Sequence, residues 1–151
     1  VTVMFKRLTV VLLAALALTA CDRVDPNSPL GKRKAIFKDM LKTSEDMGGM
    51  LRGRLPFDGL KFAEGALRLD TLAHAPWEHF PQVRDEGDSS ARAEVWQRQE
   101  RFHDLARQLE GVTGELVEST RTQPLDPAQL KAPMAKVEAA CKACHSEFRN
   151  H

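Results

Sequence analysis

Cys141-Lys142-Ala143-Cys144-His145 sets two thiols three residues apart with an imidazole directly after the second. That spacing is the attachment pattern of a c-type haem, in which both sulfurs bond the former vinyl groups and the histidine binds iron. Two other chemistries use a CxxC pair. A redox dithiol normally opens a helix inside a βαβ pattern, and half of a zinc site needs two further ligands at metal spacing. Neither context surrounds these residues.

The element that must position this group is a helix. Residues three and four apart share a helical face, so Cys141 projects beside Cys144 and His145. Leu130, Met134, Val137, Cys141, Cys144, His145 and Phe148 follow the 3.6-residue period, and Asp126-Pro127 reads as an N-cap and first helical residue. One porphyrin edge can then be tethered while the imidazole rises to the iron.

The other end of the chain has a different composition. Lys6 and Arg7 precede an uncharged run from Leu8 to Leu18. At roughly 11 residues it is too short for a mature span, which needs about 20, and it suits an export signal. Leu18-Thr19-Ala20-Cys21 resembles the bacterial lipoprotein signature. That resemblance implies cleavage before Cys21, lipidation of Cys21 and an anchored protein on the periplasmic side of a bacterial membrane. An ordinary signal peptide and a soluble periplasmic protein are the alternative. Cysteine arithmetic favours lipidation, because haem uses Cys141 and Cys144 and leaves Cys21 as an odd thiol in an exported chain. Asp22 resembles the residue that retains lipoproteins in the inner membrane of some bacteria. The division is a signal over 1–20, a tether over 21–29 and one domain over 30–151, about 130 residues for the exported part.

A net charge of +1 with no basic block argues against nucleic acid as a partner. The first helix is expected from Leu30 to Leu51, with Ile36, Phe37, Met40, Met47, Met50 and Leu51 as its apolar stripe and Gly53 and Pro56 ending it. Asp58 can cap a second helix through Ala73 that buries a wide face of Leu60, Ala63 and Leu67 with Phe62, Ala66 and Leu69. Residues 75–90 read as loop, with Trp77 and Phe80 folding back as a lid and His79 as a loop histidine. Ser89 or Ser90 can start a third helix from Ala91 to Thr120. Val95, Phe102, Leu105, Leu109, Val112 and Leu116 form its seam, Trp96 lies beside the seam facing either cofactor or a neighbouring helix, and Arg98, Arg101, His103 and Arg107 are solvated. Four such segments without strand alternation predict an all-α, antiparallel up-down-up-down four-helix bundle with covalently bound haem.

Three stretches together resemble cytochrome c′, the class II cytochromes c: Arg33-Lys34-Ala35-Ile36-Phe37-Lys38-Asp39-Met40; Pro76-Trp77-Glu78-His79-Phe80 with Glu94-Val95-Trp96; and Cys141 to Arg149. The last is the most specific, since other c-type families place the attachment site near the N-terminus. The resemblance implies one haem c on Cys141 and Cys144, His145 as axial iron ligand, Arg149 near the proximal imidazole and Arg33 near the haem propionates. It also implies Phe37 over the vacant sixth position of five-coordinate iron, where low-spin relatives carry a methionine. Met40 is the rival ligand, against a gap-filling core role, and Met47, Met50, Met134 and His74 are weaker candidates. Phenylalanine cannot bind iron.

The function this implies is capture of a small gas, NO or CO, with electron-transfer capacity; the alternative is a low-spin carrier with a Met ligand in a respiratory or denitrifying chain. A membrane-associated redox partner follows from the anchor. No residue on the distal side offers a general acid or base, which argues against an enzyme. Homodimers through the first two helices are frequent in the family, so the resemblance implies a possible homodimer, with the lysines of the first helix leaving the contact open.

Overall fold

A computed structural model describes residues 24–84 and 87–150. Cys21 and the expected signal over 1–20 lie outside the described residues. Among the described residues five helices occur in the order α1 (Pro29–Leu51), α2 (Gly59–Ala73), α3 (Glu94–Gln97), α4 (Gln99–Glu118) and α5 (Pro127–Phe148), with a 3-10 turn over Trp77–His79. The four long helices form the antiparallel bundle. Helix α4 packs on α5 and α2, α2 on α1, and α1 on α5 closes the ring.

Local chemistry starts three of the long helices. Ser28, Asp58 and Asp126 are in extended conformation, and their side chains accept from the backbone N–H of Gly31, Lys61 and Ala128. Each satisfies an orphan donor of the first turn. Helix α1 therefore begins at Pro29, one residue before the expected Leu30. Gly53 ends α1 with φ of 74°, a left-handed conformation that a side chain would strain.

Two expectations are corrected. The third helix is not continuous from Ala91 to Thr120, because Arg98 breaks it with φ −127° and ψ 52°, leaving α3 as one turn capped at Ala93. Ser89 and Ser90 are used elsewhere. Ser90 O accepts from Asn150 N–H at 2.8 Å and Phe148 O from Arg92 N–H at 2.9 Å, so 90–92 pairs with the end of α5 instead of coiling. The buried face of α2 is also narrower than its pattern. Phe62, Ala66, Leu69 and Ala73 are buried, whereas Leu60 and Leu67 are 68% and 56% exposed.

The main core joins α1, α2, α4 and α5 through Met40, Met47, Phe62, Leu69, Leu116, Leu130, Met134 and Val137. Each such side chain contributes about 1.5–3 kcal/mol relative to exposure. A second, smaller cluster of Val95, Phe102, Leu105 and Phe148 lies where α3 and α4 meet the end of α5. At the α1–α2 crossing, a Cβ on Gly65 would stand 3.0 Å from Met47 Cγ and Sδ, so glycine there lets the helices approach closely. Thr113, fully buried on α4, shares its hydroxyl hydrogen between Asp70 Oδ1 on α2 at 2.7 Å and Glu110 O at 3.0 Å. Among the described residues, no helix is long and apolar enough to cross a membrane.

Candidate functional site

Cys141, Cys144 and His145 lie on the last two turns of α5 and are all half-buried. The helix turns the two thiols toward different neighbours. Cys141 packs against the main core, together with Ile36, Phe37 and Ala140, and Cys144 against the second cluster, with Phe80, Trp96 and Ala143. Trp77 touches both clusters. The pair therefore straddles an apolar seam walled by rings from α1, the 77–80 segment and α4.

Before haem is attached, burial disfavours the thiolate at both positions. Burial first, then the Glu138 charge, raises Cys141, while a backbone hydrogen bond lowers it. Burial, with lesser contributions from Cys141 and Glu147, pushes Cys144 up to about 11, although Arg101 pulls the other way. Redox dithiols need the opposite, a thiolate favoured near neutral pH. No group of three or more His, Cys, Asp or Glu among the described residues is gathered to hold a metal ion. Two desolvated thiols one helical turn apart, an imidazole on the same face and an apolar aromatic wall fit covalent haem.

The wall is a set of edge-to-face contacts. Phe37 meets Trp77 at 6.1 Å and Phe80 at 6.5 Å between centroids. Phe102 contacts Phe80 at 4.9 Å, Trp77 at 5.7 Å and Phe148 at 5.3 Å. The rings of the 77–80 segment thus close over the core, as its composition suggested. Trp77 Nε1 donates to Ala73 O at 2.8 Å, and Trp96 Nε1 to Pro81 O at 2.7 Å, which seats Trp96 against the loop and the Phe80 ring.

Arg33 is 2% exposed and one turn before Phe37. It donates to His79 O and to Ser89 Oγ, each at 3.1 Å, and its guanidinium lies 4.6 Å from the Phe80 ring centroid. Met40, one turn after Phe37, is 6% exposed within the main core. Met47 and Met134 are buried there too, and His74 is exposed at the end of α2. Helix α5 ends at Phe148, and Arg149 is an exposed, extended cap residue whose N–H donates to His145 O at 3.1 Å.

Sequence reasoning missed a charged clamp beside Cys144. Glu147 accepts from Arg101 Nη2 at 2.7 Å and Nε at 3.1 Å, and from Arg98 Nη2 at 3.0 Å. These two arginines hold its carboxyl below the usual carboxylate range, Arg101 most of all. The arginines are about half exposed, yet they grip α5 two residues past His145. The contacts span 46 and 49 residues, so no local pattern announces them.

The Cytochrome C′ family model matches residues 28–149. The chain belongs to the cytochrome c′ family. Haem c, covalently attached, is the family's cofactor and this chain's. The cytochrome c′ of Rhodopseudomonas palustris is 27% identical over 121 residues, covering 80% of each protein. Among solved structures, cytochrome c prime from Shewanella frigidimarina superposes with a TM-score of 0.78 at 27% identity, covering 85% of this chain and 99% of that one. A nitric oxide complex of a variant cytochrome c prime from Alcaligenes xylosoxidans superposes with a TM-score of 0.75 at 24% identity, covering 85% and 98%; at that identity the likeness is one of fold.

Proposed function

We propose that this cytochrome c′ is a periplasmic-side gas-binding protein, anchored through a lipidated Cys21, whose iron has a single axial ligand from the protein. Cys141 and Cys144 would hold the haem by thioether bonds, and His145 would supply a nitrogen ligand to its iron. The group itself supplies an iron centre able to take up NO or CO and to exchange an electron. Every other task falls to the side chains around it.

The observation that carries this reading is Phe37 in its ring cluster. A phenylalanine with Trp77 and Phe80 packed on it offers the iron no donor atom. Such a pocket selects small, weakly polar diatomics. The buried position of Met40 in the main core supports a packing role and not ligation. Arg33, a buried cation one turn from Phe37, suits a haem propionate, which loses hydration on burial. Trp96 and Phe102 line the Cys144 side, and Arg149 stands at the end of the turn that carries His145, tied to it through the backbone.

Binding fits these side chains better than catalysis, because the distal rings provide no acid or base. Electron exchange with a membrane-associated partner is compatible with the same site. Leu60 and Leu67 recur at a seven-residue interval on α2, and both, like Leu41 on α1, are exposed. They suit a homodimer contact through the first two helices.

The test is titration of the ferrous holoprotein with CO and NO. Uptake of both gases without prior displacement of a protein ligand, and a faster CO association in Phe37→Ala, is the outcome expected. Failure of either gas to bind would remove the reading in favour of electron carriage.

A further inference from the structure

We propose that the end of the bundle bearing the haem segment is the end that lies against the phospholipid surface. This rests on the reading of Cys21 as lipidated, and its argument is the path the chain takes from that residue to α5.

Val24–Ser28 does not run away from the bundle. Ser28 N–H and Oγ both donate to Asp25 O, at 3.1 and 2.6 Å, and Asn27 N–H donates to Asp25 Oδ1 at 2.9 Å. Asp25 O sits so close to Gly31 that any Cβ there would overlap it, so this turn is seated on the first turn of α1. The start of α1 is in turn bound to the 79–89 segment. Lys34 Nζ donates to Asp88 O at 2.6 Å and to Asp88 Oδ2 at 3.2 Å, and Arg33 holds His79 O and Ser89 Oγ. The next residues are paired with the end of α5, through Arg92 N–H to Phe148 O and Asn150 N–H to Ser90 O. Three steps of hydrogen bonding therefore lead from residue 25 to the turn that carries Cys144 and His145.

Lengths fix the consequence. Two residues, Asp22 and Arg23, separate Cys21 from Val24, so the three Cα-to-Cα steps reach at most about 11 Å in extended chain. The 22 residues of α5 set the opposite end of the bundle about 33 Å away. Acyl chains on Cys21 can hold only the near end at the bilayer. That end also carries Val83, 80% exposed, with the exposed Arg84 beside it. An apolar side chain next to a cation suits the headgroup region. A partner that reaches the haem from the end of the bundle is then a membrane component, and soluble partners are left the flanks of α4 and α5.

Lipidated full-length holoprotein in vesicles of phosphatidylethanolamine and phosphatidylglycerol tests this, with a headgroup fluorophore whose emission overlaps haem absorption. Most of the emission should be lost on binding, and a long Gly-Ser insertion after Arg23 should restore much of it with no change in the visible spectrum. Full membrane attachment with emission retained would overturn the orientation alone. If the wild type stays in solution as Cys21→Ala does, the anchoring and the orientation fall together. A bound but colourless protein would instead remove the haem assignment, and the orientation with it.

Discussion

On the proposed reading Phe37 decides how freely a gas reaches the iron, because its ring packs edge-on against Trp77 and Phe80. Phe37→Ala removes that barrier. Flash photolysis should show CO association faster by about tenfold, equivalent to about 1.4 kcal/mol off the barrier; an unchanged rate would mean that Phe37 is not over the sixth position. The haem-attachment pattern of Cys141, Cys144 and His145 was legible in the sequence, since a five-residue spacing carries its meaning locally. The use of Glu147 was not. Its partners Arg98 and Arg101 read as solvated charges, and only the packing of α4 on α5 brings them to one carboxylate.

Among the elements, α1, α2 and α5 were readable because each opens on a local signal, and Asp58 and Asp126 cap as their positions implied. The break at Arg98 has no such signal. Residues 90–92 are drawn into pairing with the end of α5, and that tertiary contact overrides the helical pattern of 91–93. The buried link between α2 and α4 was equally silent, because Thr113 falls one residue from the apolar seam. Thr113→Val keeps the shape but leaves Asp70 without its donor. A loss of about 1–2 kcal/mol in denaturant unfolding of the holoprotein is expected, with the visible spectrum unchanged; a neutral result would mean that water replaces the hydroxyl.

For the whole molecule, the bundle and its cofactor followed from four periodic segments and one motif, while the outer surface did not. The pattern of α2 suggested a wide buried face, yet Leu60 and Leu67 are left more than half exposed by the described residues. A periodic stripe cannot say whether its partner is the same chain or another copy. The double substitution Leu60→Lys and Leu67→Lys should shift sedimentation from dimer to monomer without altering haem content, and a wild type that is already monomeric would exclude this contact.

The most direct measurement of the central claim is resonance Raman and visible absorption of the ferric and ferrous holoprotein, purified from cells with the cytochrome maturation machinery. Covalent haem with a five-coordinate, high-spin signature, unchanged in Met40→Leu, is the predicted result. A low-spin, six-coordinate spectrum with a sulfur-to-iron charge-transfer band that disappears in Met40→Leu would contradict it.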